Sequence, residues 1–574
     1  MYLRKDRGGV NEHRFRAFIT VSVVNKNNDN QMNTDKSPKL MLLGDEAIAQ
    51  GAIDAGMSGI YAYPGTPSTE ITEYILQSKE AKDKNIRAGW STNEKTAVEG
   101  ALGMSYVGKR AMTCMKHVGL NVAADAFINS SITGANGGLI IVSADDPSMH
   151  SSQNEQDSRF YGDFAMIPIL EPSNQQEAYD MVSYGFDLSE KYRIPVMMRI
   201  TTRLAHSRAG VVRGETRDQN EIKLSANSKQ FILLPGNARK QYKTLLSNQD
   251  SFLEESTKSA FNQYIDGPDK KMGVIACGIS FNYLMENYPR RVTSFPVLKI
   301  GQYPVPVDQV LKMYDECDSI LVLEEGYPLI EKHLKGLLNK GKLIKGRLDG
   351  TVPRDGELSP NLVAKALGLK VAEEKPIPSI VKNRPPALCK GCPHIYSYNA
   401  INEAILGTEK GHVFADIGCY TLGFMEPYNA IDTCVDMGAS ITMAKGAADA
   451  GFQPAIAVIG DSTFTHSGMT GLLDAVSDNS PITLFILDNE TTAMTGGQTS
   501  QARGKLEAIC EGLGVDPAHI RVLNPMPKMH GENVQVIKEE IAYQGVSVII
   551  PRRECIQTAA KNLKSARLEK EPTN

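Results

Sequence analysis

Long apolar runs are missing from this 574-residue sequence: none approaches the roughly 18 residues of a membrane-crossing helix, so no membrane span is expected. Charge of one sign is missing as well. With 62 Lys and Arg against 66 Asp and Glu the formal net charge is -4, without the basic excess of a nucleic-acid-binding surface. The 9 cysteines are scattered, with no secretory pattern ahead of them, which argues against a disulfide framework and for a reducing, cytoplasmic setting. Residues 1 to 38 are polar and Asn-rich. Their one short apolar run, Phe18 to Val24, lacks the pattern of a signal peptide. Two readings of this segment stay open: a disordered extension, or an over-extended start with Met32 as the initiator.

What is present is ordinary for a globular chain, 41% hydrophobic and 22% charged, and its length calls for several domains with cores of their own. Three are expected. Residues 39–213 alternate strand-like and helix-like segments; 214–271 are polar and read as a helical connector; 272–370 form a smaller α/β domain. A charged, Pro-rich linker, 371–388, leads to the last domain, 389–574.

The most informative stretch runs from Pro454 to Gln498. Ala455 to Ile459 and Ile482 to Leu487 are apolar runs that read as buried strands, with a helix-like segment, Gly468 to Ser477, between them. A βαβ unit of this kind brings Asp461 and Asn489 together at the carboxyl ends of adjacent strands, where open α/β sheets bind ligands. Mg²⁺ takes few protein oxygens and shares phosphate oxygens, so Asp461, Asn489 and the carbonyl of Thr491 make a suitable ligand set. Taken alone, the Gly-Asp turn is equally an ordinary polar turn. The longer spacing is more telling: Gly460-Asp461-Ser462, then residues 463 to 488, then Asn489, resembles the diphosphate fingerprint of thiamine diphosphate enzymes, with Ser462 where Gly is usual.

Elsewhere, Pro64-Gly65-Thr66-Pro67-Ser68 follows a strand and precedes a helix, and Glu94 opens the Ala/Gly-rich helix Lys95 to Tyr106, where the helix dipole favours a carboxylate. Gly103 lies nine residues beyond Glu94. His117 follows the strand Ala111 to Lys116. The loop from His150 to Arg159 is dense in polar groups, and Arg159 is able to bind a carboxylate in bidentate fashion. The second domain contains nothing catalytic in appearance. Cys389-Lys390-Gly391-Cys392 reads as a metal pair or as two thiols.

YPGTPSTEI, WSTNEKTAVEGALG, KHVGLNVAAD, HSSQNEQDSR, CKGCPH, DIGCYTLG, GDSTFTHSG and TAMTGGQ occur in one family's order. Over roughly residues 39 to 560 the chain resembles the large, α subunits of indolepyruvate ferredoxin oxidoreductases, within the 2-oxoacid:ferredoxin oxidoreductases. The resemblance implies an α/β thiamine diphosphate-binding fold. Two doubly wound parallel-sheet domains, pyrimidine-binding (39–213) and diphosphate-binding (389–574), would flank a transketolase C-terminal-like domain. Glu94 would bond the pyrimidine; Gly460, Asp461, Ser462, Asn489, Thr491 and Cys419 would line the cofactor, with Asp461, Asn489 and Thr491 holding Mg²⁺. Thr66, His117 and Arg159 would stand on the substrate side. Cys389, Cys392, Cys419 and Cys555 match the four roles of a 4Fe-4S cluster's ligands, Cys555 most loosely. Relatives commonly carry a C-terminal ferredoxin-like module with two Cys-x2-Cys-x2-Cys patterns. No such pattern follows Cys555, so another exit for electrons is expected.

The implied activity is oxidative decarboxylation of a 2-oxoacid, an arylpyruvate such as indolepyruvate, to an acyl-coenzyme A, with electrons passed to ferredoxin. A smaller β-type subunit and a homodimer of this chain within a hetero-oligomer are implied with it. Two alternatives stay open: a non-oxidative thiamine-dependent decarboxylase, which needs no cluster, and a non-catalytic scaffold subunit.

Overall fold

The computed structural model describes residues 39–227, 229–371, 376–382, 386–407 and 412–568. The expected extension at 1–38 and part of the expected linker lie outside them. The described residues form one compact unit, built on three large sheets with two two-stranded ribbons beside them.

The first sheet takes β1 (Gly59–Ala62), β2 (Arg87–Trp90), β3 (Ala111–Lys116), β4 (Leu139–Asp145), β5 (Ile169–Leu170) and β6 (Val196–Thr201), all parallel where they pair. The second takes β7 (Gln263–Ile265), β8 (Gly273–Cys277) and β9 (Val297–Ile300). A short strand, β10 (Gln302–Tyr303), then leaves it and pairs antiparallel with β5, and β11 (Ser319–Leu323) and β12 (Leu343–Lys345) return to it. The first sheet therefore runs β10-β5-β6-β4-β3-β1-β2, and the second β12-β11-β8-β9-β7. The third, entirely parallel, runs β14-β13-β15-β16-β18-β17, from β13 (Val413–Ala415), β14 (Thr433–Cys434), β15 (Ala455–Gly460), β16 (Ile482–Leu487), β17 (Ile520–Leu523) and β18 (Ser547–Pro551).

Parallel strands covered by helices on both faces read as unbroken apolar runs, and here every residue of β4, β6, β15 and β16 is buried. Each large aliphatic side chain so buried contributes about 1.5–3 kcal/mol.

Three expectations change. The connector is not purely helical: after helices Pro235–Ser247 and Gln249–Lys258 it supplies β7, the antiparallel edge of the second sheet. The apolar run Pro195 to Ile200 reads as the strand that completes the first sheet; as β6 it lies inside that sheet, because β5 and β10 extend it further. The helix after β15 starts at Asp461 rather than Gly468 and carries a π-helical turn, Phe464–Gly468. Among the described residues no helix is long and apolar enough to cross a membrane.

Candidate active site

The carboxyl ends of the first and third sheets face one cavity of about 550 Å³. From the first sheet come Tyr63 and Thr66 after β1, Glu94 after β2, and Lys116 and Gly119 at the end of β3. From the third come Cys419 after β13, Gly460, Asp461, Ser462 and His466 at and after the end of β15, and Asn489 and the run Thr491 to Thr495 after β16.

Glu94 opens the helix Glu94–Tyr106, whose cap is built locally: the Asn93 side chain accepts a hydrogen bond from the N–H of Thr96 at 2.9 Å. Glu94 is 5% exposed, and its Oε2 lies 2.7 Å from His466 Nε2. A Cβ on Gly119 would stand 2.5 Å from Glu94 Oε1, so only glycine there leaves room for the carboxylate. Asn93 Nδ2 donates to the carbonyl of His466 at 2.9 Å, and the rings of Tyr63 and His466 meet edge to face at 4.7 Å. Gly103, in contrast, is exposed, with no atom within 4 Å of where its Cβ would be. It takes no part in the site.

Asp461 is buried at the end of β15; burial pushes its carboxyl up to about 7, and its Oδ2 has no hydrogen-bond partner. Asn489 is also buried: its Oδ1 accepts from the N–H of Thr491 at 3.1 Å, and its Nδ2 donates to His394 Nε2 at 3.2 Å. Burial holds His394 down at about 4, so it is neutral and able to accept. Ser462 bridges the two sheets, with its Oγ 3.0 Å from the Tyr63 hydroxyl and 2.9 Å from Thr492 Oγ1.

Cys389, Cys392, Cys419 and Cys555 are free thiols near enough to act on one another. Burial, then the neighbouring sulfurs, push Cys392 up to about 11 and Cys419 up to about 12. The Cys389–Cys392 turn is closed by the Cys392 N–H donating to the Cys389 carbonyl at 2.9 Å. Cys434 and Cys510 stand apart, the first exposed and the second in the core of the third sheet.

The other substrate-side expectations divide. Thr66 lines the cavity. His117 does not; it is buried behind the wall, its Nε2 3.3 Å from Asn154 Oδ1, and Asn154 is what reaches the cavity. Arg159 is not on the wall at all. Its guanidinium is fully buried between Asp157 Oδ2 at 2.5 Å and Glu324 Oε2 at 3.0 Å, and it also donates to the carbonyls of Glu325 and Tyr327. With those partners it ties the first sheet to the second and has no donor left for a ligand in the cavity, which corrects the substrate role expected of it.

Two residues escaped the motif reading. His466 lies in GDSTFTHSG, but only folding brings it to Glu94, 372 positions away. Lys116 is 9% exposed; burial holds its ammonium down at about 8, and Nζ donates to the carbonyl of Ser151 at 2.7 Å. A cation beside an apolar wall was signalled only by its place at a strand end.

Residues 50–243 match the family "Pyruvate flavodoxin/ferredoxin oxidoreductase, thiamine diP-bdg", and residues 416–550 match "Thiamine pyrophosphate enzyme, C-terminal TPP binding domain". Indolepyruvate oxidoreductase subunit IorA of Archaeoglobus fulgidus is 38% identical over 90% of this chain and 86% of its own length. The Pyrococcus abyssi subunit of the same name is 39% identical over the same shares. A solved 2-oxoglutarate:ferredoxin oxidoreductase from Magnetococcus marinus is 16% identical, covering 58% of this chain and 65% of its own, with a TM-score of 0.47. At the identity and coverage of the two curated relatives, the chain belongs to the family of indolepyruvate oxidoreductase IorA subunits, thiamine diphosphate-dependent 2-oxoacid:ferredoxin oxidoreductases.

Proposed function

We propose that this chain oxidatively decarboxylates an arylpyruvate such as indolepyruvate to its acyl-coenzyme A. It would use thiamine diphosphate, one Mg²⁺ and one 4Fe-4S cluster, and pass electrons to ferredoxin. It would work in the cytoplasm as a pair of copies joined to a smaller β-type subunit, with 39–213 on the pyrimidine side, 272–370 between and 389–574 on the diphosphate side. The observation that carries the reading is the shared cavity: Glu94 from the first sheet faces Asp461 and Asn489 from the third.

The residues present fit the groups. A buried carboxylate oxygen without a donor costs about 1–3 kcal/mol, and Asp461 Oδ2 is such an atom; a cation with octahedral oxygen preference removes that cost. A Cβ on Gly460 would stand 2.7 Å from Tyr420 Cε1, so the backbone there is left bare for a close approach. Four interacting thiols are the donor set of a 4Fe-4S centre.

When bound, thiamine diphosphate supplies carbanion chemistry and the cluster one-electron transfer. The chain does the rest. Glu94, held on one oxygen by His466, keeps the other for the pyrimidine ring. Asp461, Asn489 and the Thr491 carbonyl hold the metal. Lys116 and Thr66 meet the substrate carboxylate, with Asn154 fixed by His117. Val118, Val122, Val435, Met437 and Met494 give the cavity an apolar side suited to an aryl ring.

Anaerobic co-purification with the small subunit, metal analysis and a screen of 2-oxoacids with coenzyme A and ferredoxin test the reading. Iron-containing protein that turns over arylpyruvates supports it. An iron-free, fully active decarboxylase overturns it.

A further inference from the structure

The carboxylate at the centre of the site has a wired exit. His466 sits on the π-helical turn Phe464–Gly468, a local widening of the helix that often marks functional positions. Its side chain is fully buried, and both ring nitrogens are engaged: Nε2 lies 2.7 Å from Glu94 Oε2, and Nδ1 lies 2.6 Å from Ser467 Oγ. Ser467 is half-buried and stands on the cavity wall. The ring is clamped by the edge of Tyr63 and by Asn93, which holds its main-chain carbonyl.

A neutral imidazole donates from one nitrogen and accepts at the other. Toward an ionised carboxylate Nε2 must be the donor, which leaves Nδ1 to accept from the Ser467 hydroxyl. We infer that His466 is a proton relay joining Glu94 to solvent through Ser467, a positioning residue that sets the protonation state of Glu94 rather than meeting substrate itself. The inference rests on the reading of Glu94 as the group that meets the pyrimidine.

The proton count closes. A water gives a proton to Ser467 Oγ as the Ser467 hydroxyl proton moves to Nδ1. The imidazolium so formed gives its Nε2 proton to Glu94 Oε2. Glu94 is then a neutral acid donating to bare Nε2, and the ring has become the Nδ1–H tautomer without turning over. The reverse sequence expels the proton. Tyr63, whose ring edge meets His466 and whose hydroxyl feels Glu94 and Asp461, is a titratable group facing this pair, and it does not interrupt the chain Glu94–His466–Ser467.

The test uses the full chain with its small subunit. His466→Gln keeps an amide donor for Glu94 but is unable to pass a proton. It should bind thiamine diphosphate with unchanged affinity by calorimetry, yet slow exchange of the cofactor's thiazolium C2 hydrogen for deuterium by about 10²-fold, within the range of general acid-base contributions. Ser467→Ala, which severs only the outer end, should slow it by about 10-fold. In cofactor-free protein, ¹⁵N spectra should show His466 as the Nε2–H tautomer. Exchange at the wild-type rate in both His466→Gln and Ser467→Ala overturns the relay while Glu94→Gln still abolishes exchange. Wild-type exchange in Glu94→Gln overturns the underlying assignment of the base instead.

Discussion

The hydroxyl of Tyr63 and the hydroxyl of Ser462 lie 3.0 Å apart, joining the end of the first sheet to the turn that follows β15. Ser462 occupies the position that is glycine in the usual fingerprint, and the contact explains the exchange. A side chain there reaches both Tyr63 and Thr492 and staples the two walls of the cavity.

That staple predicts a modest, specific cost. Ser462→Gly, which restores the usual motif, should lower stability by about 1 kcal/mol or a little more, the size of a lost hydrogen bond plus a freed backbone. Tyr63→Phe should cost a similar amount, and the double variant should cost less than the sum. Additive losses in denaturant unfolding would show that the two hydroxyls do not act on each other.

Glu94→Gln should leave folding and cofactor affinity near normal and cut turnover on the order of 10² or more, since an amide takes no proton from the ring. Steady-state kinetics with an arylpyruvate check it. Near-normal kcat would remove Glu94 from the mechanism.

Asp461→Ala should weaken thiamine diphosphate binding and make it nearly indifferent to Mg²⁺. Without the cation, the wild-type carboxyl rises to about 7, so cofactor affinity at low Mg²⁺ should climb as pH rises from 6 to 8 and Asp461 ionises to accept the metal. Calorimetry at several pH values and Mg²⁺ concentrations reads both effects. An alanine variant with wild-type Mg²⁺ dependence would place the metal elsewhere.

The N–H of Cys555 donates to the carbonyl of Asn489 at 3.1 Å, which brings the segment after β18 against the end of β16. Cys555→Ser and Cys392→Ser should each lose iron from a complement of about four per chain, while Cys434→Ser and Cys510→Ser keep it. Iron analysis of anaerobic protein decides. Full iron in Cys555→Ser would remove that residue from the ligand set.

Away from the site, Asp45 at the start of helix Gly44–Asp54 is fully buried, and both its carboxylate oxygens lack partners. Burial first, then Glu70 and Glu46, raise its pKa well above the usual carboxylate value. A raised carboxyl means that the folded chain holds a proton the unfolded chain releases. Its stabilising contribution is whole below the ordinary carboxylate pKa and is lost as pH rises from there through the folded value. Asp45→Asn, whose amide donates to Glu70 at any pH, should therefore gain about 1–3 kcal/mol at neutral pH and little below pH 4. Unfolding midpoints across that range check the sign. Asp45, Glu70 and His206 also present ligand atoms within 4.8 Å of one another, so a Zn²⁺-dependent midpoint in the wild type alone would contradict the proton and reveal a metal.

How much of this was visible beforehand follows from range. β3, β4, β15 and β16 are local apolar runs, and the Glu94 cap and the Asp461 to Asn489 interval are local patterns, so each could be read from neighbouring letters. The pairing of Glu94 with His466 could not, being 372 residues long in sequence and set by how two sheets meet. Arg159 was misplaced for the same reason. Its polar loop suggests a ligand, but Glu324, which claims it, belongs to a strand end that carries no sign of the contact. β7 is three residues in a polar stretch, too short to show alternation, and only its pairing with β9 makes it a strand.

The pairing of β10 with β5 has a consequence for the order in which the chain is assembled. Until residues 302–303 have been made, the outer edge of the first sheet has no partner, although all its other strands already exist. An open strand edge is a template for pairing with another chain. The half-synthesised protein therefore passes through a stage in which six of this sheet's seven strands are made and its β5 edge is unguarded, and the guard comes from a segment that follows a strand of the next sheet.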